Sequence, residues 1–405
     1  MDHKDVIIIG GGAAGFFAAI NIAESNPDLQ VSILEKSSKV LQKVKVSGGG
    51  RCNVTHACFD PKDLVSYYPR GEKELLGPFH SFMTGDTIEW FEKKGIELKV
   101  EEDLRMFPVT NSSQTIIDCF QSSAEKAGVE ILLNQNVHHI KIAEKGFEIE
   151  TKTGRFRSEK LLITTGGNSK MWELIKGLNH TIVDPVPSLF TFKIKDELLQ
   201  NIPGISVPNA LISIKNSKYS AQGPVLVTHW GLSGPAVLKL SSLAALELAD
   251  KDYDFEIALN WINSTKEETD ERLWQYKKQN PKKKVGIRSP YSEISRRLWE
   301  NMLTRAHVDR DQNWSDLSKK HIESLSLVLT ETSLSVKGKT TFKEEFVTAG
   351  GVDLKEINFK RFESRLHSNL YFAGEVLNID GLTGGFNFQN AWTGGYIAAR
   401  AISTI

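Results

Sequence analysis

Cysteine is scarce in this chain of 405 residues: Cys52, Cys58 and Cys119 are odd in number, and none is spaced as a metal-ligand pair. A disulfide scaffold and a zinc site are both disfavoured on that count, no metal is expected, and a reducing cytoplasm fits best. Net charge is missing as well, since Lys plus Arg and Asp plus Glu each number 50. With no basic field to attract a polyanion, neither nucleic acid nor an anionic membrane is an expected partner. The basic run Lys277, Lys278, Lys282, Lys283 and Lys284 reads as a solvated connection, because acidic residues are dense just upstream. Long clean apolar stretches are also absent. The nearest, Val6 to Ala23, is broken by glycines and by Asn21, and Glu24 follows at once. It lacks a basic N-terminal cluster and a small-residue cleavage site, so it reads as neither a membrane span nor a signal peptide. No internal repeat or low-complexity tract is found.

The length points to two or three domains with room to enclose a cofactor. Val6–Ile9 is a β-branched run ending in glycines; Ala13–Glu24 has helical apolar spacing; Val31–Leu34 is a second buried strand. Together they make a βαβ unit. Residues 87–94 and 115–127 read as amphipathic helices, and 146–151 with 155–159 as a hairpin around Thr153-Gly154. Leu161–Thr165 is a further buried strand. Asp184-Pro185-Val186-Pro187 marks a boundary. Beyond it come short strand-like pieces (190–195, 209–215, 219–227, 253–259), then charged helical segments (265–279, 291–305, 315–328). Glycine-rich, strand-like character returns from about Thr341, with a strand at Leu370–Ala373. The fold class expected is α/β: a discontinuous Rossmann-like domain (1–187 and 345–405) carrying a β-barrel-like insert (188–262 and 329–344) with a helical subdomain (263–328).

Gly10-Gly11-Gly12-Ala13-Ala14-Gly15 fits G-x-G-x-x-G directly after a strand and before a helix, the context the pattern requires. Gly10 permits the tight turn, Gly12 lets a pyrophosphate approach the backbone, and Gly15 allows close helix–sheet packing. The helix N-terminus then attracts the anion. Glu35, at the end of the second strand, is placed to accept hydrogen bonds from an adenosine ribose. Taken alone the motif is also compatible with a merely tight connection, and it does not separate FAD from NAD. Lys43 to Asn53 reads as a loop, with Ser47, Arg51, Cys52 and Asn53 around a glycine triplet that includes Gly49 and Gly50, suited to lie against a flavin. Cys52 has no C-x-x-C partner, so a contact role is expected and a redox role is not. Near the C-terminus, Gly374-Glu375 ends a strand, and Asp380 to Asn390 leads into a helix. There an acid is placed to bind a ribityl hydroxyl, and the helix N-terminus to face the part of a flavin ring where charge accumulates on reduction.

With these pieces in view, the chain resembles the two-dinucleotide-domain flavoproteins and most closely the HI0933-like family, related to aminoacetone oxidase and bile-acid dehydro-reductase labels. The resemblance runs over nearly the whole chain, through Gly10–Gly15, Ser47–Asn53, Thr165–Gly167, Thr228–Ala236, Thr348–Val352 and Gly374–Gly395. It implies non-covalent FAD. The neighbours it implies are Ala14, Glu35, Lys36, Lys43, Gly49, Gly50, Cys52, Asn53, Val137 (holding adenine through its backbone), Gly167, Glu375, Asp380, Phe386 and Asn387; Ala13, Thr165, Gly166, Gly384, Gly385 and Gln389 are further candidates for cofactor binding. Where many relatives carry Gly-Arg before the lysine, this chain has Leu41-Gln42, which removes a charged phosphate contact there. The resemblance also implies a barrel-like insert that covers the flavin and bounds a substrate cavity.

Outside the flavin loops His229, in Thr228-His229-Trp230-Gly231, is the candidate for moving protons beside a flavin. A structural histidine is the competing reading, and Trp230 is expected to fill a seam. The function expected is an FAD-dependent oxidoreductase acting on a small organic substrate, its flavin recycled by oxygen or by transiently bound NAD(P)H. The alternatives are a tRNA-modifying flavoprotein and a flavin-binding protein without turnover.

Overall fold

A run of β-branched residues flanked by glycine can bury both faces only in the middle of a sheet, and Val6–Ile9 does so at the end of the strand Asp2–Ile9. The computed structural model describes residues 2–340 and 347–404. The chain divides into two compact units, Met1–Val186 with Lys343–Ile405, and Pro187–Phe342. The return point expected from the sequence, between 344 and 345, lies outside the described residues.

In the first unit, Asp2–Ile9 is flanked in parallel by Val31–Leu34 and by Arg155–Ile163. Glu130–Leu132 extends the sheet in parallel beyond Val31–Leu34, and Leu370–Phe372 extends it in parallel beyond Arg155–Ile163. The last-named strand comes from the C-terminal segment, so the two ends of the polypeptide share one sheet. Ile357–Asn358 and Glu363–Ser364 complete that edge, and the hairpin Val137–Ile142/Phe147–Thr151 joins Arg155–Ile163 from its side.

Helix Ala13–Ser25 packs on the C-terminal helix Phe386–Ser403 closely enough that a Cβ at Gly395 would stand 3.1 Å from the Ala14 carbonyl oxygen. Beside this contact Phe17, Trp90, Phe120 and Trp392 form an aromatic cluster, with Phe17 4.5 Å from Trp90 and 5.2 Å from Trp392 between ring centroids. Burial of each such ring stabilises the unit by about 2–3 kcal/mol. This core fixes the two helices whose N-termini frame the candidate site.

The second unit is a closed antiparallel barrel of six strands in the order Thr191–Ile194, Gly231–Ser233, Ser220–Val227, Ser206–Ile214, Asp254–Asn260 and Thr332–Thr340. Inward residues such as Val207, Ile212, Val225, Ile257 and Val336 alternate with outward polar ones. Helices Lys266–Gln279, Arg296–Arg305 and Lys319–Thr330 add Leu273, Trp299 and Leu329 to the same continuous core.

One local expectation changes. Lys43–Asn53 is not a loop throughout: a helical segment runs Gln42–Gly50, entered from left-handed Leu41 (φ 58°) and broken at Ser47–Gly49. Lys43, Val44 and Lys45 are compatible with a helical turn, and the glycines that follow end it. Pro185 and Pro187, extended as the sequence suggests, lie in the strand Ile182–Ser188, and the division between the two units falls between Val186 and Pro187. That strand belongs to a two-stranded sheet with Val347–Val352, where edge positions leave the missing N–H groups harmless.

Candidate cofactor site

The glycines of the first turn fall into two physical kinds. A Cβ at Gly15 would lie 2.1 Å from the Gly10 carbonyl oxygen and 2.7 Å from Thr164 Oγ1, and one at Gly10 would lie 2.8 Å from the Thr164 carbonyl oxygen. Those two positions are glycine because the protein itself leaves no room. Gly12 differs: its backbone is extended (φ −97°, ψ −166°) and an added Cβ would meet nothing within 4 Å. No atom of the chain excludes a side chain there, and the space in front of Gly12 is open. Gly49 and Gly50 face similar open space, and with Gly48 they form three successive residues at positive φ (57°, 67° and 85°).

Neither helix that opens on this face has a side-chain N-cap or an acidic residue in its first turn. Gly12 precedes Ala13–Ser25 and Gly385 precedes Phe386–Ser403. Helix starts without a capping side chain leave backbone donors and a positive dipole end for an anion or polar ligand.

The structure brings the two glycine-rich turns together. Gly374 abuts Ala14, with 3.2 Å from its Cβ position to the Ala14 Cβ. Gly385 lies on the backbone of Thr55, within 2.6 Å of it by the same measure. With its amide oriented to satisfy both ends, Asn53 accepts from Gly385 N (2.9 Å) and donates to the Thr55 and Met106 carbonyl oxygens. Gly166 faces Glu375 Oε2, and Lys43 Nζ donates to that same oxygen. Thr348 N donates to Glu375 Oε1 at 3.2 Å. At the other end Glu35 Oε2 accepts from Gly11 N (2.8 Å), while Oε1 accepts from Ser37 N and Oγ. Glu35 therefore locks the glycine turn, and the residue is half-buried. Val137 is near by sequence register, since Gln135 N donates to the Glu35 carbonyl oxygen.

Exposure sorts the remaining expected residues. Gly12, Ala13, Glu35, Lys36, Lys43, Ser47, Gly49, Gly50, Arg51, Thr165, Gly166, Gly167, Glu375, Gly384, Gly385 and Asn387 keep accessible surface. Gly10, Ala14, Gly15, Cys52, Asn53, Val137, Gly374, Asp380, Phe386 and Gln389 are buried. Asp380, expected to reach a ligand, is fully buried and ion-paired with Arg70. Gln389 Oε1 accepts from Thr55 and Thr87, and Asn387 clamps Gly381 through both its carbonyl and its amide. Arg51 is turned to Glu101 (2.6 Å), with its guanidinium 3.9 Å from the Phe107 ring centroid. Burial pushes the Cys52 thiol up to about 12, so it stays protonated and unreactive at neutral pH.

His229 belongs to the second unit, at the turn closed by Thr228 N donating to the Gly231 carbonyl oxygen, and it is exposed. Trp230 beside it, expected to be covered, is 54% exposed. One residue escaped the sequence reading altogether. His56, three positions after Asn53, is buried against the Gly384 turn, and the only signal for it was its place at the end of the glycine-rich segment. Among the described residues no group of His, Cys, Asp and Glu is arranged to hold a metal, and no helix is long and apolar enough to cross a membrane.

Comparison with known proteins adds a family to this geometry. The model of the HI0933-like protein Rossmann domain matches residues 4–401. The chain is 27% identical over 419 residues to the ribosomal RNA dihydrouridine synthase of Haemophilus influenzae, covering 99% of each. It is 26% identical over 412 residues to the 3-dehydro-bile acid delta(4,6)-reductase of Clostridium scindens, covering 97% of this chain and 98% of that one. Among solved structures, the 3-ketosteroid-delta4-(5alpha)-dehydrogenase from Rhodococcus jostii RHA1 superposes with a TM-score of 0.52 at 13% identity, over 98% of this chain and 97% of that one; this likeness concerns the fold.

Proposed function

The chain belongs to the HI0933-like family, and from that premise we propose that it is an FAD-dependent oxidoreductase that reduces a carbon–carbon double bond conjugated to a carbonyl. The observation that carries the cofactor part is the open face before Gly12, where an added Cβ would meet no atom of the chain within 4 Å. The substrate class rests on the two relatives. Dihydrouridine is uridine with its ring double bond reduced, and a delta(4,6)-reductase acts on conjugated double bonds, so one reaction type is common to both names.

In this reading the start of Ala13–Ser25 holds the pyrophosphate and Glu35 the adenosine ribose. Lys43 and Glu375 meet the middle of the cofactor, and the start of Phe386–Ser403 faces the flavin. When bound, the flavin supplies the hydride; the chain orients the substrate and excludes water. The raised thiol of Cys52 and its burial take it out of the proton inventory. His229, exposed at its turn, is the candidate for delivering the second hydrogen as a proton. Its assignment predicts that His229→Asn lowers turnover and leaves FAD occupancy intact.

The test of the reading is a half-reaction. Protein carrying photoreduced flavin is mixed anaerobically with conjugated enones, and reoxidation of the visible flavin band is followed. Rapid reoxidation with formation of the saturated product supports the reading, and inertness to every enone overturns the substrate class. A second reading, an RNA uracil as the conjugated substrate, draws on an exposed basic loop, Lys282, Lys283, Lys284 and Arg288, in a chain of zero net charge. Turnover with a uridine-containing ribosomal RNA fragment, abolished by charge reversal of that loop, would favour it over the small-molecule reading. The electron donor is proposed to be NAD(P)H, checked by anaerobic bleaching of the flavin on its addition.

A further inference from the structure

Two neighbouring tyrosines hold the start of the C-terminal helix in opposite ways. Tyr68 is 1% exposed and its hydroxyl donates to the Phe386 carbonyl oxygen at 2.6 Å, so its polar atom is spent inside the protein. Tyr67 is half-buried, and its ring stacks almost parallel on Phe386, with 4.2 Å between centroids and 11° between planes. His56 packs against the same pair, 5.5 Å from Tyr67 and 4.6 Å from Phe386. The backbone is fixed as well. Leu382 N donates to the Tyr67 carbonyl oxygen at 2.9 Å, Arg70 meets Asp380 through an ion pair and a backbone bridge, and a Cβ at Gly71 would stand 2.8 Å from Ile379 Cγ1. Residues 67–71 are thus clamped along 379–386, the turn that leads into Phe386–Ser403. Among the described residues no group bonds the Tyr67 hydroxyl, and that oxygen is not one of the side-chain atoms sealed from solvent. It is therefore a donor held in one place, with only solvent or a ligand as its acceptor.

We propose that Tyr67 is a catalytic residue, its hydroxyl donating a hydrogen bond to the carbonyl oxygen of the conjugated substrate. The inference rests on the reading above, in which this helix start faces the flavin, and adds the group that polarises the substrate. When hydride reaches the β-carbon, the π pair of the alkene moves to the carbonyl oxygen as an enolate; the α-carbon then takes a proton and the carbonyl re-forms. Tyr67 neither gains nor loses its proton in this sequence. Its hydrogen bond strengthens as the oxygen becomes negative, so it favours the transition state over the bound substrate.

The test compares wild type with Tyr67→Phe, which keeps the ring and its stack on Phe386 and deletes only the hydroxyl. The denaturant midpoint and FAD affinity are expected to stay at their wild-type values. Binding of cyclohex-2-enone to the oxidised holoprotein, which cannot reduce it, is read from the shift of the visible flavin band and should weaken several-fold. Reoxidation of the photoreduced holoprotein by the same enone should slow roughly a hundredfold, while reoxidation by ferricyanide, which has no carbonyl to polarise, keeps its rate. Enone reoxidation at the wild-type rate in Tyr67→Phe would overturn the proposal. Equal slowing with enone and ferricyanide, or a loss of FAD affinity, would make Tyr67 a part of the cofactor framework and overturn it equally. A wild type that no enone reoxidises would instead sink the reading on which the proposal stands, and the proposal with it, so the two failures are told apart.

Discussion

Replacing Gly12 with valine separates what the fold needs from what the ligand needs. At φ −97° and ψ −166° the backbone suits a β-branched residue, and the new Cβ meets nothing within 4 Å. Gly12 is also the N-cap of Ala13–Ser25, where valine is poorer than glycine by about 0.5–1 kcal/mol. Against that, a glycine lost from the unfolded chain returns about 0.4–1 kcal/mol. The two effects nearly cancel, so Gly12→Val should leave apoprotein stability within about 0.5 kcal/mol of wild type. FAD binding should nevertheless fall by about 2–3 kcal/mol, some thirty- to hundred-fold, because the side chain stands where the pyrophosphate must approach. Gly15→Ala gives the opposite pattern. Its Cβ would sit 2.1 Å from the Gly10 carbonyl oxygen, so the apoprotein should lose about 1–3 kcal/mol or more. Urea denaturation of apoprotein, paired with fluorescence titration of FAD, reads both quantities. Wild-type FAD affinity in Gly12→Val, or an unfolded Gly12→Val apoprotein, would refute the reasoning.

Glu35→Gln should weaken FAD binding and also loosen the turn, because the carboxylate serves Gly11 N and Ser37 as well as any ligand; loss of affinity by titration, with the apoprotein somewhat less stable, is the expected pair of results. His180 is buried, with Nδ1 2.7 Å from Glu356 Oε2 and Nε2 2.9 Å from Ser364 Oγ, and burial holds its pKa below the usual histidine value. A histidine depressed in the folded state stabilises it above the unfolded pKa, about 6.5, and that stability is lost as pH falls through the lower folded value. The urea midpoint should therefore drop on acidification below about pH 6.5, with a smaller drop in His180→Gln; an equal drop in both would assign the effect elsewhere. Cys52 and Cys119 are buried and Cys58 is half-exposed, so a thiol reagent should titrate one cysteine quickly in native protein and all three in denaturant.

The glycine turns and the buried strands were legible in sequence because both signals are local: short apolar runs at Val6–Ile9, Val31–Leu34 and Leu161–Ile163, the first and last followed closely by glycines, leave few alternatives. That the two ends of the chain share one sheet followed from the same patterns. What the sequence did not carry was information held by distant partners. Asp380 looks like a ligand acid until Arg70, 310 residues away, takes up its carboxylate. Cys52 and Gln389 sit in turns that read as cofactor-facing, yet both are fully covered. The helical start of Gln42–Gly50 was hidden by the glycines at its end, and His56 was passed over because its burial arises from Phe386 and Tyr67, remote in sequence. Composition was equally silent about Trp230, whose exposure depends on the turn that carries it.

Calorimetric titration of the apoprotein with FAD, repeated in the presence of ADP, addresses most directly whether the N-terminal and C-terminal glycine turns form one dinucleotide cradle. The account predicts one FAD per chain, displaced by ADP, and reduced affinity from a substitution in either turn alone. A protein that takes up no FAD, or whose binding responds to the N-terminal turn and ignores Gly384 and Gly385, would contradict it.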